Sequence, residues 1–233
     1  MSSFKPAAVA ALAAAVVSGA ALAQSCWAQT ASAPKAEVGP HRPELLWKEV
    51  WKPSADGVEH PISLPGSVAN PDLELKMYGQ GPMLDILGFV GDDASPAHVF
   101  SGEAKGSMAF AFRDRRAYAD LTGLSRIRVN TKMSGLHRIY PVVKLASGDW
   151  YMAERSVGAS TKDYVVEDIP LSDTRWFKLD IANVVTKGNP VDKIDLGKVD
   201  EIGFADLIPA SGHGPGGWFD VAQIEVYGKA VPR

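Results

Sequence analysis

The chain has 233 residues and a formal net charge of −3, with 27 acidic and 24 basic residues. The basic residues are scattered, apart from Arg113, Arg115 and Arg116, which Asp114 interrupts, and the absence of a basic stripe argues against a nucleic-acid partner. The single cysteine, Cys26, cannot form an intramolecular disulfide, so the stability of the fold must come from an apolar core.

The first 23 residues are predicted to be a signal peptide. Lys5 precedes the small apolar run Pro6–Ala23, and Ala21-Leu22-Ala23 before Gln24 forms a typical cleavage site. A retained membrane anchor is the weaker interpretation because the run is rich in alanine and lacks a stop-transfer flank, and its position argues against a core helix. We therefore expect an exported protein, periplasmic or extracellular, whose mature chain has no membrane span.

The residues that follow the signal peptide are predicted to be a linker, residues 24–43, leading to one domain, residues 44–233. Lipoprotein anchoring at Cys26 is disfavoured because Gln24 fits poorly in the run before the cysteine, and cleavage after Ala28 would remove Cys26 altogether. Residues 30–43 are rich in Ala, Pro and Ser without periodicity, as is typical of a linker.

From residue 73 onward, alternation of apolar and polar residues predicts a series of short strands. The alternation is clearest where Ile127 and Val129 face one way and Arg126, Arg128 and Asn130 the other. The type of the first ordered segment, residues 45–51, stays open. The predicted strands are 73–78, 83–90, 108–113, 126–130, 136–145, 150–153, 164–168, 175–181, 199–206 and 218–227. Turn signals separate them, residues 186–190 are predicted to be a loop, and the arrangement is typical of a β-sandwich.

Two strands carry a predicted irregularity. Pro141 cannot donate a backbone hydrogen bond, which predicts an edge position or a bulge in the strand 136–145. In the last strand Phe219 and Val221 have odd numbers whereas Ile224 and Val226 have even ones, so the inward face slips by one residue near 222–223. This slip predicts a β-bulge.

The order of these segments resembles the galactose-binding-like jelly roll, a superfamily that includes many carbohydrate-binding modules and the complex I intermediate-associated proteins. The chain is also similar to exported bacterial proteins of unknown function. The residues that carry the likeness are Asp120-Leu121-Thr122-Gly123-Leu124, Ile169–Trp176, Phe177-Lys178-Leu179-Asp180-Ile181, Val199–Phe204 and Trp218–Tyr227. The resemblance implies an all-β jelly-roll β-sandwich.

Aromatic and planar polar side chains predict a carbohydrate site. Pyranose rings stack on aromatic rings, and their hydroxyls need planar polar partners. If the outward side chains of the strands around residues 126–153 line one groove, a polysaccharide or oligosaccharide would contact Arg126, Arg128, Asn130, His137, Arg138, Tyr140, Trp150 and Tyr151. Alternatively, Trp150 belongs to the core and the arginines form a solvated face.

A structural Ca²⁺ is the one cofactor that the resemblance suggests. Related modules hold the ion with loop carbonyls and a carboxylate near the last strand, and Asp220 matches that position. A Ca²⁺ site needs several oxygen ligands, and the candidates for the others are Glu44, Glu49 and the pair Asp92 and Asp93. The alternative is an aspartate that hydrogen-bonds the neighbouring loop. The glycine-rich loop around His213 is predicted to be a long turn, although it would allow close backbone approach to a ligand.

The functional hypothesis is recognition of a glycan without catalysis. The chain lacks the G-x-S-x-G and H-E-x-x-H motifs, and adjacent acidic residues in a strand point to opposite faces and so cannot flank a glycosidic bond. The first alternative is a protein-interaction or assembly domain of the same fold, and the second is a glycan-processing enzyme.

Overall fold

The computed structural model describes residues 42–53, 60–62, 66–81, 85–87 and 95–233. The predicted signal peptide and nearly all of the predicted linker lie outside the described residues, so both stay predictions. Within the described part of the chain, no helix is long and apolar enough to cross a membrane.

The described residues form strands joined by turns and loops. The first segment, whose type the sequence left open, is a strand. The strands are β1 (Glu44–Glu49), β2 (His60–Pro61), β3 (Leu73–Gly79), β4 (Asp85–Leu87), β5 (His98–Phe100), β6 (Met108–Asp114), β7 (Ala117–Asp120), β8 (Arg126–Met133), β9 (Ile139–Leu145), β10 (Trp150–Ala153), β11 (Val165–Pro170), β12 (Trp176–Asp180), β13 (Val185–Val191), β14 (Val199–Asp206) and β15 (Phe219–Pro232).

The strands pair in two antiparallel sheets. Sheet A has the order β11–β8–β15–β5–β4–β2, with β1 also paired to β15. Sheet B has the order β13–β12–β10–β9–β14–β6–β3. The last strand, β15, belongs to both, since its final residues pair with β7, which also pairs with β14. The predicted all-β jelly-roll sandwich is confirmed.

The core lies between the inner faces of the two sheets, as the period-two alternation requires. On β6, Phe110 and Phe112 point inward and are nearly fully buried. Trp51 packs on both rings, with centroids 5.9 and 5.4 Å away. From sheet A, Ile127 and Val129 of β8 join the same core. The outward residues of each strand therefore define two outer faces, one on each sheet.

The predicted slip in the last strand is confirmed. The pairing of β15 with β8 shifts register between Val221 and Gln223, so that Phe219 and Val221 before the bulge and Ile224 after it are all buried.

One local prediction was wrong, and another holds at the residue but not for the whole strand. Residues 186–190 were expected to form a loop, but they belong to β13, which among the described strands pairs with β12 alone and forms the edge of sheet B. An edge strand tolerates Gly188 and Pro190, and the register shift between Trp176 and Lys178 accommodates the irregularity. Pro141 lies in β9, an interior strand, and no bulge occurs there. It pairs with Phe204 of β14 on one side but lies beyond the residues that pair with β10 on the other, so Pro141 itself occupies a local edge, as its missing backbone donor predicts.

Candidate functional site

The outer face of sheet A carries a row of polar side chains along β8. Ile127, Val129, Thr131 and Met133 are buried, so the alternate residues point outward. The outward residues are Arg126, Arg128, Asn130 and Lys132. Together they span about 20 Å along the strand, at about 3.4 Å per residue. We call this set the β8 row.

One carboxylate holds both arginines of the β8 row. Arg128 donates from Nη2 and Nε to Asp168 of β11 at 2.7 and 3.0 Å, and Arg126 Nε donates to the same carboxylate at 3.1 Å. These contacts, Arg128 first, hold the pKa of Asp168 below its ordinary value. The guanidinium of Arg126 lies over the ring of Tyr227, 3.8 Å from its centroid. Two cations therefore share one anion and one ring.

The neighbouring strand β15 carries a second carboxylate, Glu225, on the same face. Tyr227 donates its hydroxyl to Glu225 at 2.6 Å and Gln223 donates its amide at 2.9 Å, while Lys48 of β1 forms an ion pair at 3.4 Å. The hydrogen bond to Glu225 raises the pKa of Tyr227. Both carboxylates at this end of the face are thus engaged by protein groups.

The other end of the β8 row is surrounded by aromatic rings. Lys132 Nζ lies 5.6 Å from the ring centroid of Trp218 and 5.9 Å from that of Tyr164, and all three side chains are partly exposed. The exposed ring of His213 stacks on Phe100 at 5.0 Å and meets Trp218 edge to face at 6.0 Å. We call Lys132, Tyr164, Trp218 and His213 the aromatic end.

Asp220 lies beneath the aromatic end and is 5% exposed. Its carboxylate accepts a long hydrogen bond from the Tyr164 hydroxyl, 3.4 Å, and lies 3.7 Å from His98 Nε2. Burial raises the pKa of Asp220 to about 7, although Lys132 and Tyr164 act in the opposite direction. Burial also lowers the pKa of His98 and raises that of Tyr164, so the neutral forms of all three groups are favoured.

The surroundings of Asp220 do not fit the Ca²⁺ suggested by the resemblance. Its described neighbours are a lysine, a histidine and a tyrosine, whereas Ca²⁺ prefers several carboxylate and carbonyl oxygens. Among residues 42–53, 60–62, 66–81, 85–87 and 95–233, no group of three or more His, Cys, Asp or Glu could hold a metal ion. Glu49, one expected ligand, is fully buried and accepts three backbone N–H groups, those of Trp51, Ala69 and Asn70. Asp92 and Asp93 lie outside the described residues.

Tyr140 and Trp150 lie on the outer face of sheet B, away from the β8 row. Trp150 is 7% exposed and meets Tyr78 of β3 edge to face, with ring centroids 5.1 Å apart. Trp150 belongs to a second apolar cluster, and the partly buried rings of Tyr78 and Tyr140 pack against that cluster. Its buried members are Ala109, Ala111, Val142, Trp150, Met152, Leu179, Val184 and Ala205. The strands β3 and β10 are separated by three others, so the contact between Tyr78 and Trp150 shows that sheet B curls and closes its outer face.

Glu201 is the charged centre of this closed face. Its fully buried carboxylate accepts hydrogen bonds from Lys76, Lys144 and the Tyr78 hydroxyl at 2.9, 2.8 and 2.6 Å. Burial raises the pKa of Glu201, but the three donors outweigh it and hold the pKa below its ordinary value. The carboxylate is therefore ionised and fully occupied by protein groups.

The remaining three predicted site residues do not form an open surface with the others. His137 is fully buried, with Nδ1 2.5 Å from Asp206 Oδ2. Arg138 is partly buried and donates to the His137 carbonyl, and Tyr151 packs against the main core. The prediction of one face for all eight residues was wrong, because β8 belongs to sheet A and β9 and β10 to sheet B. Their roles in binding stay a prediction.

The sequence pattern did not predict that Lys132, Tyr164 and Trp218 are neighbours in one site. Lys132 continues the alternation of Arg126, Arg128 and Asn130 by one more step, and this step was the available signal. Tyr164 and Trp218 were the first residues of predicted strands, but each lies just before the observed strand, where alternation does not give the direction of the side chain. Their proximity depends on the pairing of β8 with both β11 and β15.

Among the comparisons with known proteins, the search of solved structures alone finds similar proteins. No protein-family model matches the chain, and no curated protein matches it. A family 11 carbohydrate-binding module of the cellulosomal cellulase Lic26A-Cel5E of Clostridium thermocellum is 15% identical, with a TM-score of 0.41, over 78% of this chain and 95% of that one. A family 29 carbohydrate-binding module is 12% identical, with a TM-score of 0.38, over 77% and 89%.

A third similar structure is TmCBM61 in complex with β-1,4-galactotriose. It is 14% identical, with a TM-score of 0.37, over 66% of this chain and 88% of that one. At these identities the likeness says nothing about which ligand this chain binds.

Proposed function

We propose that the chain binds a carbohydrate, without catalysis, on the outer face of sheet A. The observation that carries the proposal is the aromatic end, where the partly exposed rings of Trp218 and Tyr164 flank Lys132 at the end of the β8 row. Such rings offer a stacking surface for the C–H faces of a sugar, and the guanidinium groups of the row offer planar donors for hydroxyls. Export through the predicted signal peptide is part of the proposal.

The outer face of sheet B supports binding less well, although it holds Tyr140 and Trp150. Trp150 is covered by Tyr78, and the carboxylate and lysines around Glu201 satisfy one another. A ligand there would have to separate the two rings and break buried hydrogen bonds. On sheet A the rings of Trp218 and Tyr164 are already partly exposed.

The proposal is tested by affinity electrophoresis in native gels that contain soluble polysaccharides, neutral and acidic. We expect at least one polysaccharide to retard the wild-type protein, and the Trp218→Ala variant to lose most of that retardation. An aromatic contact of about 1.4 kcal/mol corresponds to about a tenfold change in affinity.

The matched control is Tyr118→Ala. Like Trp218, Tyr118 is a partly exposed ring with a cation over it, in this case Arg233 at 4.5 Å. Tyr118 lies on β7, away from the aromatic end. This variant should be retarded like the wild type. Circular dichroism establishes that each variant is folded. A folded wild-type protein that no polysaccharide retards, or retardation that Trp218→Ala leaves intact, would refute the proposal.

A protein-interaction function is the second candidate, and the edge of sheet A favours it. Strand β11 pairs only with β8 among the described strands, and Val165 and Val166 on it are 40% and 57% exposed. An apolar edge strand of this kind can pair with an extended segment of another protein. If no polysaccharide retards the protein in the gels, strand β11 becomes the surface to test for binding of a partner protein.

A further inference from the structure

We propose that the bound saccharide is anionic, and that Lys132 binds its carboxylate or sulfate between the rings of Trp218 and Tyr164. This inference rests on the proposed function and adds the chemical class of the ligand. It follows from the charges on the outer face of sheet A, which are balanced at one end and unbalanced at the other.

The cations at the first end of the face have protein anions as partners. Arg126 and Arg128 bind Asp168, and Lys48 binds Glu225. Lys132 differs, because no described carboxylate lies within ion-pair distance of its ammonium group. Its described neighbours are the faces of two rings, 5.6 and 5.9 Å from Nζ. The ammonium group is thus positioned beside a stacking surface and still available to an anion.

Asp220, which pairs with Lys132 across β15 and β8, is a poor competitor for this ammonium group. Asp220 is buried, and the groups that face it are Lys132 on β8, His98 on β5 and Tyr164 ahead of β11. Burial favours its protonated form, with a pKa of about 7. When Asp220 is neutral, Lys132 gives the aromatic end a net positive charge, which attracts an anionic ligand.

The positions of the two rings also determine which part of a bound sugar would lie beside the ammonium group of Lys132. The Trp218 and Tyr164 rings lie on either side of Lys132, so a pyranose stacked on one ring would place a ring substituent near the ammonium group. An acidic substituent, the carboxylate of a uronic acid or a sulfate ester, would then form a charge-assisted hydrogen bond. His213, exposed and stacked on Phe100, extends the aromatic surface at this point.

Titration calorimetry with defined probes tests the ligand class. The probes are a galacturonic acid tetrasaccharide, its fully methyl-esterified form and a sulfated galactan tetrasaccharide without carboxylates. The ester keeps the sugar rings and removes the charge. We expect one of the two anionic probes to bind at least about tenfold more tightly than the ester, the range of a charge-assisted hydrogen bond. Which of the two binds distinguishes a carboxylate ligand from a sulfate ligand.

The matched variants are Lys132→Met and Lys48→Met. Both remove one ammonium group from the outer face of sheet A, but the group of Lys48 already has Glu225 as its partner. Lys132→Met should weaken binding of the anionic probe about tenfold and leave binding of the ester unchanged, whereas Lys48→Met should change either by less than about twofold.

The pH dependence gives a second readout. Affinity for the ionised probe should fall several-fold, about fivefold, from pH 6 to pH 8 as Asp220 loses its proton beside the ligand anion. Asp220→Asn should remove most of this pH dependence. His213→Gln removes the imidazole ring and so measures how much of the pH dependence comes from His213. A flat wild-type profile would refute the role of Asp220.

The failure of this inference differs from the failure of the proposed function. Equal affinity for the acid and the ester, or binding of the acid that Lys132→Met does not change, would refute an anionic ligand at Lys132 and leave carbohydrate binding intact. If the wild-type protein binds no saccharide in the calorimeter or the gels, both proposals are wrong.

Discussion

Asp220 and Glu201 show how the surroundings of a buried carboxylate determine its charge. Glu201 accepts three hydrogen bonds, two of them from lysine ammonium groups, and its pKa lies below the ordinary value. Asp220 accepts one long hydrogen bond from a tyrosine, and its pKa rises to about 7. The difference lies in the donors, because both side chains are removed from water.

The raised pKa of Asp220 predicts that this residue lowers the stability of the fold as pH rises. Between about pH 4, the ordinary aspartate value, and about pH 7 the folded state holds a proton that the unfolded state has lost. Stability from this group therefore falls across that window. Asp220→Asn lacks the ionisation, so relative to wild type it should gain stability from pH 5 to pH 8, by about 1.4 kcal/mol for each pH unit between pH 5 and the folded-state pKa of about 7. Urea unfolding at both pH values measures the difference, and parallel pH profiles would contradict it.

Sequence alone identified Asp220 as unusual but not its chemistry. The resemblance to jelly-roll modules suggested a metal ligand at its position near the last strand. Its protonation depends on burial first and then on Lys132 and Tyr164, and these neighbours, like the nearby His98, come from other segments of the chain. Alternation within a strand gives the direction of each side chain, and it does not give the residue that faces it across the sheet.

At the level of strands, alternation predicted which side chains face the core and which face outward. It did not predict the sheet to which each strand belongs. The inward and outward residues of β8 lie as predicted, and the bulge in β15 lies at the predicted slip. The assignment of β8 and β9 to different sheets depends on where the chain crosses the sandwich, at the turn around Gly135. Nothing in the period of either strand encodes that crossing, and the single predicted binding face was therefore divided.

Close backbone packing at the centre of β14 predicts that only glycine can occupy position 203. Gly203 lies between Ala111 of β6 and Val142 of β9, and a Cβ atom there would overlap the Phe110 carbonyl oxygen and the Ala111 backbone. Gly203→Ala should destabilise the fold by about 3 kcal/mol, since the backbone cannot move without breaking the ladder on both sides.

The control for this prediction is Gly106→Ala, where the nearest atom to a new Cβ would be the side chain of Gln80 at 3.7 Å. Its stability should stay within about 1 kcal/mol of wild type. Urea unfolding of both variants measures the two values. Equal stability of Gly203→Ala and wild type would show that β6 and β14 can separate more easily than their pairing implies.

The whole molecule depends on β15, because this strand joins the two sheets. Its first part pairs with β8, β5 and β1 in sheet A, and its last residues pair with β7 beside sheet B. The fold class followed from the sequence because it needs only the number and type of strands. The double role of β15 did not, since a strand of 14 residues has the same alternation whether it serves one sheet or two.

Removing residues 229–233 tests this joining role. The truncation deletes the pairing of Lys229–Pro232 with β7 and the contacts of Arg233 with Asp200 and the Asp114 carbonyl. Sheet A keeps all of its pairs, so we expect a folded protein that has lost about 2 kcal/mol, or roughly 4–8 °C in melting temperature.

Hydrogen exchange shows where that loss is located. Amides of β7 should exchange much faster in the truncated protein, whereas amides of β8 stay protected. Arg233→Ala keeps the strand pairing and removes only the side-chain contacts, so it should lower the melting temperature less and leave β7 protected. If β7 stays equally protected after truncation, its pairing with β14 is enough to hold it, and β15 is not what joins the sheets at this end. Unprotected β8 amides would show instead that sheet A cannot keep its structure without the connection.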